Sequence, residues 1–395
     1  MKKPSLLIIF FTVFIDLIGF GIVMPLLPLY IQEFGAPGWM IGAIVGSFSL
    51  MQFVFAPWWG KLSDRIGRRP VLLVSNAGSA IAYAMFGFAS RFEGHTALWL
   101  LLASRVFAGI CGANLSVASA YIADVTPPEK RSKSMGLIGM AFGLGFILGP
   151  ALGSFSAAKF GLSGPGYVAG VICALNFLFT SIFLVESVKP STEPKVRRVR
   201  FAQWAHTFKQ PTVGFLVALY FFATFSFAAF EVTIGLLLEK RFDYGPEKIG
   251  YFMTYCGLLS ALLQGGGIGP LIKKLGERKL LSIALVVVAV GLIMIPYVHT
   301  VAGLLVALGV FAAGSGIHRP PLFGLISILT PESEQGATLG VTQSAGSLAR
   351  IAAPVFAATM YEVRADLPYI ICAIVACIAG VVAWTYLNKP EVKGH

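Results

Sequence analysis

Long apolar segments dominate the sequence and limit the folds that it can adopt. Twelve of them recur along the 395 residues, each near the roughly 20 residues that a helix needs to cross a bilayer. Only 12% of the residues are charged, against about 25% in soluble domains. This composition excludes a soluble enzyme and a disordered chain and predicts an all-α membrane protein. The spans are expected at 5–30, 39–60, 71–90, 97–123, 134–158, 165–185, 212–238, 248–270, 279–298, 302–327, 337–361 and 367–388.

Basic residues predict the orientation of the chain. If the N-terminus is cytoplasmic, 21 of the 30 Lys and Arg residues lie on the inner side and six lie in outer loops. Because such basic segments stay in the cytoplasm, both termini are expected there, and the net charge of +12 needs no nucleic acid to explain it. The polar stretch near the middle predicts an N-terminal six-helix lobe (1–186), a cytoplasmic linker (187–211) and a C-terminal six-helix lobe (212–395).

The two predicted lobes repeat each other. Residues 60–69 read G-K-L-S-D-R-I-G-R-R, and residues 269–278 read G-P-L-I-K-K-L-G-E-R at the same place in the second half. At a constant offset of 204 residues, three further positions recur: Thr126, Gly136 and Pro150 as Thr330, Gly340 and Pro354. A parallel repeat of six spans is typical of two-lobed secondary transporters.

The segment 60–69 resembles the loop signature of the major facilitator superfamily. Its glycines, Gly60 and Gly67, are expected to permit a tight turn, and Asp64 can accept hydrogen bonds at a helix N-terminus. Its basic residues are expected at the inner headgroup level: Arg65, Arg68 and Arg69. The resemblance implies that Asp124, at the end of span four, pairs with the loop near Arg68 and stabilises one conformation.

Three further motifs also resemble this superfamily. Span four carries Leu101-x-x-x-Arg105-x-x-x-Gly109-x-x-Gly112, similar to the fourth-helix motif of the family. Span five carries a pattern that resembles the antiporter motif of drug:proton exporters, formed by Gly145, Gly149, Pro150 and Gly153. Glycines at this spacing make a smooth face for close helix packing, and the proline bends the helix. Residues 16–28 of span one resemble the first helix of tetracycline:proton antiporters, so the resemblance covers the whole chain.

Ionisable residues inside the spans are candidates for function because each is costly in a bilayer. Asp16, near the middle of span one, is the first candidate for the proton carrier, with a static salt bridge as the alternative. Glu231 on span seven is either a second coupling acid or a structural one. The residues expected to line the substrate cavity are Arg105, Gln264, Arg319, Gln343, Arg350 and Tyr255. Three arginines against two acids favour an anionic or zwitterionic substrate.

These features together predict a major facilitator exporter of the inner membrane. It would exchange protons for an amphiphilic small molecule by alternating access, with a multidrug or tetracycline-like substrate. The alternative is an organic-anion or lipid-like-substrate transporter of the same fold. No HExxH or GxSxG motif and no Cys/His cluster occurs in the sequence, so neither an enzyme nor a metal site is expected. The proton is the coupling ion without a cofactor, and the expected partners are a small molecule and membrane lipid for a monomeric protein.

Overall fold

Sixteen α-helices form the described part of this computed structural model, which covers residues 4–112, 114–127, 131–187, 200–331 and 334–387. The predicted all-α class is confirmed. In chain order the helices are α1 (Leu6–Val23), α2 (Leu27–Glu33), α3 (Gly38–Ile66), α4 (Arg68–Ala89), α5 (Gly94–Cys111), α6 (Asn114–Val125), α7 (Arg131–Phe160), α8 (Gly164–Phe183), α9 (Arg200–Lys209), α10 (Pro211–Phe242), α11 (Pro246–Leu262), α12 (Ile268–Leu275), α13 (Glu277–Met294), α14 (Val301–Leu329), α15 (Gln335–Val363) and α16 (Leu367–Leu387).

The helices have the length and surface of membrane spans. Within the described residues, eleven helical runs are long and apolar enough to cross a membrane. The one remaining predicted span is the eleventh in chain order, 337–361. It coincides with α15, which is 29 residues long but carries a polar stripe that includes Gln343, Ser347 and Arg350. Large apolar side chains point outward, for example Trp99 at 64% exposure and Ile328 at 67%. Because no backbone polar group can be left unpaired in lipid, helices of this kind are the expected spanning elements.

Three spans are interrupted where the sequence supplies a helix-breaking residue. The first divides into α1 and α2 at Pro25, and Pro28 lies in the first turn of α2; neither proline can donate a helical hydrogen bond. The fourth divides near Gly112 into α5 and α6. The eighth contains a π-helical turn at Leu263–Gly267 between α11 and α12, and such turns frequently mark functional positions.

The expectation for Gly60 is wrong in one respect. Gly60 lies inside α3, where its carbonyl accepts a hydrogen bond from the Ser63 hydroxyl at 2.9 Å. The turn between α3 and α4 consists of Gly67 alone, at φ +102°. Most of the segment 60–69 is therefore helical, because a residue that tolerates positive φ is needed only at Gly67.

Two compact units divide the described residues. The first contains those within Met1–Lys195 together with Leu238–Thr254, and the second contains those within Val196–Leu237 and Tyr255–His395. The first unit buries a core that includes Ile9, Val71 and Tyr121, and the second buries Leu216, Leu285 and Ile326. The predicted boundaries of the lobes stay a prediction.

The predicted linker 187–211 contains a helix that the hydropathy pattern did not reveal. Residues 188–199 of this linker, like the two chain termini 1–3 and 388–395, lie outside the described residues. Helix α9 belongs to the second unit, and its His206 Nε2 lies 3.0 Å from Glu334 at the start of α15. This pair joins the helix of the linker to the eleventh span.

The internal repeat extends to turns and to hydrogen bonds at helix ends. Gly276, between α12 and α13, has φ +74° and matches Gly67 of the first copy. Arg69 donates from Nη2 to the carbonyl of Ser181 at 2.7 Å. Arg278 occupies the matching place in the second copy and donates to the carbonyl of Leu387 at 3.3 Å. In both copies an arginine after the turn thus joins the third helix of the repeat to the end of its sixth.

Candidate functional site

Arg68 is the centre of an ion-pair network in the first unit. It is the first residue of α4 and only 4% exposed. Its Nη1 lies 2.6 Å from Asp64 Oδ1 of α3, and its Nε lies 3.0 Å from Asp124 Oδ2 of α6. A buried guanidinium needs such partners because an unpaired charge is costly to bury. Arg65, by contrast, is exposed. The three spans of this network are thereby joined at one end.

Glu186 completes this network and was not among the residues chosen from the sequence. It follows α8, and its carboxylate accepts the backbone N–H groups of Arg68 at 2.8 Å and Arg69 at 3.0 Å. These N–H groups have no partner inside their own helix, and a negative charge is favourable at a helix N-terminus. The neighbouring Ser187 hydroxyl donates to Asp124 at 3.1 Å. An acid at the end of span six was the only signal in the sequence.

Asp16 lies on α1 and interacts with residues from two other helices of the first unit. Its charge acts on the hydroxyl of Tyr83 of α4 and on the thiol of Cys173 of α8. A Cβ placed at Gly19 would lie 2.9 Å from the Cys173 sulfur and 3.2 Å from Tyr83 Cε2. This close approach of α1 to α4 and α8 positions the carboxylate within the helical bundle.

Arg105 of α5 is buried beside Tyr83. The side chain is 1% exposed, and its guanidinium lies over the rings of Tyr83 and Phe86 at 5.3 and 5.2 Å from their centroids. Its Nε and Nη2 have no hydrogen-bond partner among the described residues. Stacking on aromatic faces offsets part of the cost of burial. Tyr83, which was not selected from the sequence, thus contacts Arg105 through its ring. Asp16 acts electrostatically on its hydroxyl.

The glycines of α7 allow it to pack closely against α1. A Cβ at Gly149 would lie 2.6 Å from Gly21 Cα, and one at Gly21 would lie 2.7 Å from the Gly145 carbonyl oxygen. Gly153 packs in the same way on the carbonyl of Ile22. Any side chain at these positions would separate the helices, so glycine is required by the packing of α1, the helix that carries Asp16.

Pro150 lies within this stretch of α7 and is in contact with a further helix. A Cβ at Gly250 of α11 would lie 2.8 Å from the Pro150 carbonyl oxygen and would also overlap the Ser154 side chain. The beginning of α11 therefore belongs to the same tightly packed region of the first unit.

The second unit brings together an acid and two arginines. Glu231 of α10 is 5% exposed, and its Oε1 has no hydrogen-bond partner among the described residues. Arg350 of α15 and Arg319 of α14 both act electrostatically on this carboxylate. Tyr220, about three turns before Glu231 on α10, acts electrostatically on Arg350. Three residues that were chosen separately from the sequence are thus part of one cluster.

The remaining cavity candidates have different surroundings. Gln343 of α15 is exposed, and its backbone carbonyl accepts a hydrogen bond from the Ser347 hydroxyl at 3.1 Å. Gln264 is exposed within the π-helical turn. The Tyr255 hydroxyl donates to the Leu305 carbonyl of α14 at 3.2 Å, so this side chain is already held by a neighbouring helix.

Comparison with known proteins identifies relatives along the whole chain. The profile described as Major Facilitator Superfamily matches residues 9–354 and 216–395. Tetracycline resistance protein, class B, of Escherichia coli is 31% identical over 394 residues, which cover 96% of this chain and 95% of that protein. Major facilitator superfamily domain-containing protein 10 of Mus musculus is 26% identical over 99% of this chain and 95% of its own length.

Solved structures show the same fold. The crystal structure of the human organic anion transporter MFSD10 (TETRAN) matches with a TM-score of 0.71 and 26% identity, over 97% of this chain and 100% of that one. The nucleoside transporter NupG matches with a TM-score of 0.78 over 97% of this chain and 100% of its own, but only 14% identity, which shows the fold alone.

Proposed function

This chain belongs to the Major Facilitator Superfamily, and on that premise we propose that it exports an amphiphilic small molecule in exchange for protons. As a multi-pass membrane transporter it is not an enzyme. In this proposal it resides in the inner membrane with both termini in the cytoplasm. Transport proceeds by alternating access, as in other two-lobed secondary transporters, and the coupling proton is carried by the protein's own side chains.

The observation that carries the proposal is the packing of the α7 glycine face on α1. Gly145, Gly149 and Gly153 contact the part of α1 that begins directly after Asp16. Close packing of this kind excludes water and lipid from the seam. A carboxylate next to such a seam can exchange its proton with one side at a time, which coupled exchange requires. The likeness to tetracycline resistance proteins supports export as the direction.

Transport in proteoliposomes tests the proposal directly. A panel of amphiphilic compounds, including a tetracycline, is offered with and without an imposed pH gradient. The wild-type protein is expected to accumulate at least one compound against the proton flow, and Asp16→Asn is expected to bind it without accumulating it. Glu93→Gln, an exposed acid at the start of α5, is the matched control and keeps full accumulation. Undiminished accumulation by Asp16→Asn would rule out Asp16 as the carrier.

A second candidate function is organic-anion transport by the same fold. Arg319 and Arg350 face a single acid, Glu231, in the second unit, and the human relative of known structure is an organic anion transporter. In this case Arg350→Ala should weaken uptake of an anionic dye much more than uptake of a cationic dye of similar size. Equal losses for both dyes would leave Arg350 with a structural role only.

A further inference from the structure

The arginine–glutamate cluster consists of Glu231, Arg319 and Arg350. The three side chains come from helices that pack together in the second unit. The ring centroids of Phe230 of α10 and Phe311 of α14 lie 4.0 Å apart, and those of Phe225 of α10 and Phe356 of α15 lie 5.3 Å apart. Both guanidiniums act electrostatically on the Glu231 carboxylate. Glu231 Oε1 is buried without a hydrogen-bond partner among the described residues. A buried oxygen that lacks a hydrogen bond is energetically costly. Glu231 Oε1 can therefore take a proton or accept a hydrogen bond from a ligand.

Two other titratable side chains lie near the arginine–glutamate cluster. His318, next to Arg319, is 3% exposed and hydrogen-bonds the Gly314 carbonyl through Nδ1 at 3.3 Å, while Nε2 has no partner in the described part of the chain. Tyr220 acts on Arg350 from α10 itself. With Glu231 ionised, the cluster of three carries a net charge of one positive unit.

This charge balance links the substrate's charge to the direction of proton flow. A purely anionic substrate competes with the Glu231 carboxylate for the arginines, and protonation of Glu231 removes that competitor. Anion and proton then favour each other's binding, and such positive linkage is reciprocal. Both would cross the membrane in the same direction, which is symport and not export against protons.

A cationic group has the opposite linkage. It competes with the proton for Glu231, which is the condition for antiport, but two guanidiniums repel a molecule that carries only a positive charge. A molecule with both charges avoids this conflict. Its acidic group pairs with Arg350 and Arg319, and its ammonium occupies the place of the proton beside Glu231 Oε1.

We infer that the arginine–glutamate cluster is a binding site for a zwitterionic substrate and that Glu231 is a coupling acid in addition to Asp16. This rests on the proposed function of proton-driven export. As the ammonium binds, the proton leaves the Glu231 carboxyl group for water, and the reverse exchange resets the site. One proton crosses in one direction and a neutral zwitterion crosses in the other, so each exchange at this site moves one positive charge.

Three matched compounds test the inference on the wild-type protein. The scaffold is a compound whose export the pH-gradient panel has shown, prepared with an amine and a carboxylate, as its methyl ester (a cation) and as its N-acetyl derivative (an anion). The zwitterion is expected to be exported against protons and accelerated by a potassium diffusion potential set with valinomycin. The anion should move with protons or not at all. Export of the cationic ester as fast as the zwitterion, without an effect of the potential, would overturn the inference and leave the proposed function standing. If the gradient drives none of the three, the proposed function fails as well.

Two variants assign the charges of the substrate to side chains. Glu231→Gln should weaken binding of the zwitterion and the ester about tenfold, the effect of losing about 1.4 kcal/mol, and remove the pH dependence of zwitterion binding. Arg350→Gln should weaken the zwitterion and the anion and spare the ester. The controls are Glu239→Gln, an exposed acid on the same helix, and Arg364→Gln, an exposed arginine after α15. Equal loss of all three compounds in either cluster variant would show a structural role and contradict the inference.

Discussion

Arg68 has two carboxylate partners, and this redundancy separates its conformational role from its role in stability. Asp64 approaches it at 2.6 Å, and Asp124 approaches it at 3.0 Å from another helix. Removing one partner leaves the guanidinium paired with the other, so the fold retains its buried charge in a satisfied state. The balance between conformations, which needs only a small free energy to shift, is the more sensitive quantity.

Asp64→Asn is therefore expected to slow transport without loss of folded protein. Loss of about 1–2 kcal/mol from a partly buried ion pair corresponds to roughly 5- to 30-fold in a conformational equilibrium. Initial rates in proteoliposomes, compared at equal amounts of monodisperse protein, measure the effect. Glu93→Gln serves as the control. Transport at the wild-type rate by Asp64→Asn would contradict a conformational role for this pair.

Glu186 is expected to contribute to stability through the N-terminus of α4. Glu186→Ala removes both hydrogen bonds to the N–H groups of Arg68 and Arg69, and loss of a helix cap costs about 1 kcal/mol. Glu186→Gln keeps an acceptor but loses the charge, so its effect should be smaller. Thermal unfolding in detergent measures the order wild type, Gln, Ala. An unchanged midpoint in Glu186→Ala would show that water replaces the cap at no cost.

Individual site residues could be chosen from sequence where a motif or an isolated charge marked them. Asp64, Arg68 and Asp124 stood in recognisable patterns, and Glu231, Arg319 and Arg350 stood out because charge is rare in apolar helices. Tyr83 and Glu186 could not be found in this way. A tyrosine in a span is ordinary, and an acid at a helix end is usually solvated, so their roles arise only from contacts with residues that lie far away in the sequence.

At the scale of helices, the α1–α7 seam depends on the absence of side chains. Gly139 is a useful contrast because it lies on the same helix, and among the described residues no atom outside its own helix backbone lies within 4 Å of a Cβ built there. The glycine pattern in the sequence indicated a packing face but did not indicate its partner. Which helix fills a smooth face is decided by tertiary arrangement, and many pairings satisfy the same pattern.

Gly149→Leu should impair transport, whereas Gly139→Leu should have little effect. Overpacking a close contact costs about 1–3 kcal/mol, and here the atoms in the way are backbone atoms of Gly21 and Ile22, which cannot rotate aside. We expect at least a tenfold lower rate of export or leakage of protons without substrate. Transport and collapse of the pH gradient are followed together. Normal coupling in Gly149→Leu would mean that the seam is not needed for antiport.

At the scale of the whole molecule, apolar segment length was sufficient to predict the spans. Each of the twelve predicted segments coincides with one helix or with consecutive helices, because crossing a bilayer imposes one length and one kind of surface. Interruptions within spans were not predicted, since prolines and glycines also occur in unbroken membrane helices. Helix α9 was missed for another reason: it is short and amphipathic, so average hydropathy cannot distinguish it from a polar linker.

The orientation predicted from the basic residues can be measured by labelling. Ser5→Cys precedes α1 and Glu93→Cys precedes α5. They lie at the N-terminal ends of the first and fourth spans, which the predicted orientation puts on opposite sides of the membrane. In intact cells a membrane-impermeant maleimide should label Glu93→Cys at once and Ser5→Cys only after permeabilisation. The wild-type protein, in which four of five cysteines are buried, provides the background. Reversed accessibility would contradict a cytoplasmic N-terminus.

The arginines after the two matching turns have a consequence for the ancestry of the chain. Arg69 and Arg278 make the same hydrogen bond to the end of a sixth helix, whereas Asp64 has Lys273 as its counterpart. If both halves descend from one duplicated ancestor, the scaffold contact survived in each copy, while only the first copy now has the aspartate of the ion-pair network. A chimera that places two first halves in tandem would therefore inherit two such networks, and we expect it to fold but to exchange conformations more slowly than the natural chain.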